Sequence, residues 1–358
     1  MKNFGLFSRF AVLTLAVCML TIGPSLYADG GANHQVSNPH FGVSGGNVND
    51  ITARFCCSGT LGSLVNASGV NYILSNNHVL ARVDQAAVGE DISQPGRIDN
   101  NCQLPPIVAD FTKASPLGSN VDAALAQLRP NTMDTSGFIE DIGTISRNVK
   151  APTVGLAVAK SGRTTGLTTG SISSINTSVS VQYQKNCGSG KKFVVSYTNQ
   201  VVINSSTFSA GGDSGSLIVS NNNCHQPVAL LFAGSSSTTI GNPIGEVLTK
   251  LTTALGSTVS FVGGTCTAAP EIASAGPQTR EPSSASVERA MEVMRAREND
   301  LMSRPGIIGV GVGASDNDPN TASVVVYMDA NAPILSNVPR RINGVRVKVV
   351  YTEPFVAY

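Results

Sequence analysis

Between residues 41 and 261 the chain is cut into short apolar runs by clusters of Gly, Asn, Ser and Pro, and this punctuation constrains the fold most. Gly59-Thr60-Leu61-Gly62-Ser63-Leu64-Val65, Asn71-Tyr72-Ile73-Leu74-Ser75, Phe193-Val194-Val195-Ser196-Tyr197 and Gly215-Ser216-Leu217-Ile218-Val219 are examples. Runs of this length and composition read as strands joined by tight turns. Two antiparallel barrels suit them. A helix fits residues 243–255, where Ile244, Val247, Leu248, Leu251 and Leu255 share one face, with Pro243 and Gly256 as boundary signals.

Residues 263–282, rich in Ala, Pro, Ser, Gly and Thr, read as a linker. Beyond it, Val287, Ala290, Met291, Met294 and Leu301 recur at helical spacing, and apolar segments 307–312, 323–328 and 345–351 follow. They predict a small α+β module over residues 283–358. Gly309-Val310-Gly311-Val312-Gly313 leads into Asp316-Asn317-Asp318-Pro319 and not into a helix, so a phosphate loop lacks its context. The expected element is a flat strand packed on the preceding helix. The acidic loop after it offers oxygen ligands to calcium, but the strand reading is preferred and no metal is expected.

The first 28 residues form a separate unit. Lys2 and Arg9 precede an apolar run over 11–22, then Gly23-Pro24 and a small-residue end at Ala28, the layout of an export signal. The run is too short to span a bilayer, so no stable membrane anchor is expected. Cys18 is a poor lipidation site, because Val17 is bulky and the apolar run continues past it. Six cysteines then remain, at 56, 57, 102, 187, 224 and 266, an even set that suits up to three disulfides in a secreted or periplasmic protein. Adjacent Cys56 and Cys57 should reach different partners, and Cys187 with Cys224 is the favoured pair. A formal net charge of +1 gives no field that would draw nucleic acid or an anionic membrane. Asn66-Ala67-Ser68, Asn176-Thr177-Ser178 and Asn204-Ser205-Ser206 match the glycosylation triplet, which is common by chance.

The chemistry is carried by Gly211-Gly212-Asp213-Ser214-Gly215-Ser216. A serine hydroxyl is a poor nucleophile until an imidazole takes its proton and a carboxylate orients that imidazole. Asn76-Asn77-His78-Val79 and Val121-Asp122-Ala123-Ala124 supply both upstream. His78 ends an apolar strand, and Asp122 stands at the mouth of another, where a buried carboxylate needs a fixed partner. The bland readings are a structural histidine, a loop-capping aspartate and a glycine-rich hairpin. The presence of all three groups argues against each. Glycines around Ser214 let the backbone aim the N–H groups of Gly212 and Ser214 at a developing oxyanion.

The order His78, Asp122, Ser214 and the GDSG box resemble the chymotrypsin/trypsin-like serine peptidases. Residues 160–170, Lys-Ser-Gly-Arg-Thr-Thr-Gly-Leu-Thr-Thr-Gly, are similar to the strand–turn–strand of bacterial streptogrisin-like members. Cys56-Cys57-Ser58-Gly59-Thr60-Leu61-Gly62 and Tyr72-Ile73-Leu74-Ser75-Asn76-Asn77-His78 look like a subgroup of exported trypsin-like proteins. The resemblance covers residues 41–262 and places the peptidase domain over 29–262. It implies a mainly β double antiparallel barrel, hydrolysis of protein or peptide substrates through an acyl-enzyme, and no cofactor. It also implies that Ala233-Gly234-Ser235 lines the primary pocket and pairs with substrate backbone. Phe208, six residues before Ser214, stands where an acidic residue would select Lys or Arg, so that preference is not expected. No activation site with an Ile-Val start precedes the barrels, so Asp213 should pair with Lys160 or Arg163. The competing reading is a catalytically quiet binding protein on the same fold; esterase activity is a third, since the acyl chemistry is shared. The C-terminal module is expected to dock on the peptidase domain, over the cleft as an inhibitor or foldase-like segment, or to hold substrate or another protein.

Overall fold

The computed structural model describes residue 34 and residues 39–266 and 281–358; the export signal and most of the linker expected from the sequence lie outside these. The architecture is mainly β, a double β-barrel. The first half is an eight-stranded sheet, ordered Ser260–Phe261, Ser63–Ala67, Val70–Ser75, Ala124–Leu128, Ile107–Ala114, Asp91–Ser93, Val43–Asn47 and Gly59–Leu61. Its core includes Leu64, Ile73, Leu74, Ile92, Leu125 and Phe111, all under one-tenth exposed. Leu217, Val219 and Leu230 from the second half join the same cluster, so apolar burial holds the halves together.

The second half is built on Ala157–Lys160, Leu217–Ser220, Pro227–Gly234, Thr238–Pro243 and a long hairpin, Ser174–Asn186 with Ser189–Asn204. Pro227–Gly234 is buried at every position, as a central strand covered on both faces must be. Helix Ile244–Leu255 follows and buries Ile244, Val247 and Leu251, with Gly256 closing it in the left-handed region at φ 75°.

The second sheet continues beyond the hairpin into the C-terminal module. Ile307–Ala314 pairs antiparallel with Ser174–Asn186, and Ala322–Asp329 and Val345–Thr352 extend it. Helix Ser284–Met302 covers one face, packing Ala290, Val293, Met294 and Leu301 on Val310, Val312, Val324 and Val326. The Gly-Val alternation therefore has two uses. The valines meet the helix, while a Cβ on Gly311 would strike the Thr177 side chain and one on Gly309 would press on the Ser178 carbonyl. The glycines let the module's strand approach the hairpin closely.

Three disulfides form, Cys56–Cys102, Cys57–Cys187 and Cys224–Cys266. The favoured Cys187–Cys224 pairing is thus replaced. Cys187, at the hairpin tip, lies against the loop that carries Cys57, whereas Cys224 faces Cys266 after the last strand of the first sheet. Cys57–Cys187 closes a loop with a sequence separation of 130, which on chain entropy alone stabilises by about 5 kcal/mol. Replacing both cysteines by Ser should lower the urea unfolding midpoint more than replacing Cys56 and Cys102, which close 46 residues. Equal shifts would refute the loop-entropy account.

Candidate active site

Ser75-Asn76-Asn77-His78 leaves strand Val70–Ser75 and enters the short helix Asn77–Leu80. Two asparagines pin this turn: Asn76 Nδ2 donates to the Asp122 carbonyl at 2.7 Å, and Asn77 Nδ2 donates to the Ser115 carbonyl at 2.9 Å. Both are fully buried, so those bonds also satisfy groups that would otherwise be costly. The turn sets His78 beside Asp122, which precedes strand Ala124–Leu128. His78 Nδ1 lies 2.6 Å from Asp122 Oδ2, and the His78 backbone N–H donates to Oδ1 at 3.2 Å.

Tyr183, on the hairpin, adds a donor that sequence reasoning missed. Its hydroxyl donates to Asp122 Oδ2 at 2.8 Å and lies 2.7 Å from the Tyr197 hydroxyl. Asp122 has no solvent exposure, and these donors replace its lost hydration. The only signal in the sequence was a tyrosine in an otherwise two-faced strand, whose hydroxyl needs some partner when buried. Burial disfavours the His78 imidazolium. The charge and hydrogen bond of Asp122, the Tyr358 carbonyl and the charge of Asp50 outweigh it and hold the pKa above the usual 6.5. Asp50 is itself pushed up to about 6 by burial, against the pull of His78 and Arg82.

The serine loop is laid onto the first half. Thr60 N–H donates to the Ser214 carbonyl at 2.7 Å, and Thr60 Oγ1 donates to the Gly212 carbonyl at 3.0 Å. Gly212 and Gly215 have φ of 98° and 95°. At Gly215 a Cβ would also strike the Thr60 carbonyl and Ser75 Oγ, so only glycine fits. Among the described residues the N–H groups of Gly212 and Ser214 donate to no protein acceptor.

Asp213 anchors the loop. It accepts from the N–H groups of Thr164 (2.8 Å), Thr165 (3.1 Å) and Ala210 (2.9 Å) and from Thr165 Oγ1 (2.7 Å). Lys160 Nζ lies 3.6 Å from it and donates to Thr165 Oγ1 and, at 2.8 Å, to the Gly166 carbonyl. Burial lowers the Lys160 pKa, with Asp213 acting in the opposite direction. Of the two cations named from the sequence, Lys160 is the one at Asp213. Arg163 turns away to a bidentate pair with Asp99, at 2.6 and 2.7 Å.

Ser214 is fully buried, and its Oγ donates to the Phe232 carbonyl at 3.1 Å. No hydrogen bond joins it to His78 among the described residues. His78 Nε2 instead lies 3.0 Å from the carbonyl oxygen of Tyr358, whose own N–H donates to the same Phe232 carbonyl at 3.4 Å. Tyr358 therefore stands between the imidazole and the serine. Ala233 and Gly234 pair antiparallel with Ala357 and Val356, and the Ser235 carbonyl accepts from the Tyr358 hydroxyl at 2.6 Å. Phe208 is fully buried in the apolar cluster against which Tyr358 packs, and its carbonyl accepts from Thr168 Oγ1 at 2.7 Å. Among the described residues no group of three His, Cys, Asp or Glu side chains is placed to hold a metal ion.

No protein-family model and no curated protein matches the chain. Among solved structures it is similar to a glutamic-acid-specific serine protease, with 19% identity over 62% of this chain and 98% of that one, at a TM-score of 0.44. It is also similar to protease A of Thermobifida fusca, with 17% identity over 64% and 100% at 0.42, and to a chymotrypsin of Cellulomonas bogoriensis, with 18% over 63% and 100% at 0.42. These likenesses are distant and concern the backbone path; what the site can do rests on its own groups.

Proposed function

We propose that this chain, whose fold is that of the chymotrypsin/trypsin-like serine peptidases, is an exported serine endopeptidase. In this reading Ser214 attacks a peptide carbonyl while His78 Nε2 takes its proton. The tetrahedral oxyanion is held by the N–H groups of Gly212 and Ser214. His78 then gives the proton to the leaving amine, which departs and leaves an ester on Ser214. Water, deprotonated by His78, hydrolyses that ester and restores the enzyme. Asp122 keeps the proton on Nδ1 and stabilises the imidazolium, and Tyr183 positions Asp122. One oxyanion donor of this kind contributes about 3 kcal/mol to the transition state.

The observation that carries the reading is the 2.6 Å contact of His78 with the buried Asp122, its other nitrogen facing the Tyr358 carbonyl oxygen. Before attack, the Tyr358 carbonyl must leave Nε2 and Ser214 Oγ must turn from the Phe232 carbonyl. Three disulfides fit an oxidising compartment, which supports export. The C-terminal module remains docked on the peptidase domain through the shared sheet.

A fluorophosphonate probe tests the chemistry. Stoichiometric labelling of the full chain or of a Tyr358→Asp variant, lost on Ser214→Ala, is the expected result. Folded protein that takes up no label in either form would favour the quiet binding protein.

A further inference from the structure

Phe355–Ala357 is a strand wedged between two others. It runs antiparallel to Pro227–Gly234, with Val356 opposite Gly234 and Ala357 opposite Ala233, and parallel to the hairpin, with Phe355 opposite Val181. Phe355 is almost wholly buried and meets the Tyr327 ring edge-on at 5.9 Å, which ties the segment to the module. Thr352 Oγ1 lies 2.6 Å from Ser235 Oγ, a second tie. The segment ends its run with the Tyr358 carbonyl on His78 and the Tyr358 ring over Gly234. A Cβ on Gly234 would collide with that ring and hydroxyl. The hydroxyl reaches the Ser235 carbonyl at 2.6 Å at the far end of the pocket. On the other side of His78 a cleft of about 180 Å³ is open, lined by Asp50, Cys57, Ser58, Val79, Tyr183 and Gly188 among others.

We propose that residues 355–358 occupy the acyl half of the substrate cleft in substrate register, so that the module blocks its own peptidase domain and Tyr358 marks the preferred residue before the cleaved bond. This rests on the endopeptidase reading above. Three features of substrate recognition coincide in one segment. Main-chain pairing to an exposed strand edge supplies affinity without sequence preference. A side chain enters a pocket whose floor is glycine and whose end is a hydrogen-bond acceptor, the Ser235 carbonyl, which suits a phenol and offers no cation to a Glu carboxylate. The Tyr358 N–H donates to the Phe232 carbonyl beside Ser214 at 3.4 Å, while its own carbonyl lies on the imidazole and not on the N–H groups of Gly212 and Ser214, and the leaving-group half stays open. With Nδ1 donating to Asp122, Nε2 must carry a proton to meet that carbonyl, so the occupied site holds His78 away from its role as base. Covalent connection raises the local concentration of the segment into the millimolar range, enough to keep a weak tetrapeptide bound.

The test uses the full chain and its Tyr358→Asp variant, which removes the ring and puts a carboxylate in the pocket. Expected are fluorophosphonate labelling and hydrolysis of tetrapeptide anilides faster by about tenfold or more in the variant. Among anilides differing only before the scissile bond, Tyr and Phe should exceed Lys and Glu. Equal rates for wild type and variant, with both labelling fully, would overturn the blockade; a Lys or Glu preference would overturn the pocket assignment. A binding measurement separates this from failure of the enzyme reading. Fluorescein-labelled Phe-Val-Ala-Tyr should bind the Tyr358→Asp, Ser214→Ala protein, by fluorescence anisotropy, more tightly than Phe-Val-Ala-Lys. Selective binding with no labelling of any form would sink catalysis and keep the occupied pocket. No binding of either peptide overturns the proposal.

Discussion

Asp122→Asn should lower kcat on a peptide anilide by about 10⁴-fold at neutral pH while the protein stays folded. The carboxylate accepts from His78 Nδ1, from the His78 backbone and from the Tyr183 hydroxyl. An amide can offer its oxygen to only part of this set, and its NH2 turned toward Nδ1 forces the imidazole proton onto Nε2. In that tautomer Nε2, the nitrogen that must take the serine proton, is a donor and cannot act as base. The pH profile separates this from a folding defect. The base must be neutral, so kcat/KM rises with pH as His78 loses its proton. Burial lowers the His78 pKa, but Asp122, the Tyr358 carbonyl and Asp50 together raise it above 6.5. Removing the Asp122 charge takes away the largest raising influence, so the acid limb should move to lower pH. Asp50, pushed up to about 6 by burial, adds its charge beside His78 as it ionises. An unchanged kcat with an unchanged limb would contradict the assigned role.

Lys160→Met should destabilise the fold by about 3–5 kcal/mol, read from urea unfolding, because it strips a buried carboxylate of its countercharge. Both side chains are wholly buried. Asp213 keeps its four hydrogen bonds from Thr164, Thr165 and Ala210, which sets the loss below that of a bare buried charge. Adding Asp213→Asn should recover part of the loss, since the mismatch is then removed from both sides. Losses that simply add would show that the two groups do not couple. Activity should fall alongside, as Asp213 holds the loop whose next residue is Ser214.

The strand pattern of residues 41–261, the helix ending at Gly256 and the α+β succession after Ser283 were legible in the sequence because each depends on local periodicity and on turn residues. His78, Asp122 and Ser214 were legible as candidates for a related reason, since a hydroxyl, an imidazole and a carboxylate carry their chemistry in the residue type itself; of the three, the structure joins His78 to Asp122 by a hydrogen bond. The disulfide partner of Cys187 was not, since six cysteines permit many pairings and only the hairpin's path selects Cys57. Nor was the choice of Lys160 over Arg163, which turns on where Asp99 arrives from the first half of the protein. Tyr183 and Tyr358 were invisible as site residues, since a tyrosine in a strand reads as packing until something distant meets its hydroxyl or carbonyl. The chain's local chemistry thus determined the kinds of elements and the reactive groups. Only the tertiary structure decided what each group touches, because hydrogen bonds and ion pairs act over a few ångströms and residues hundreds apart are brought within that range by burial of the cores.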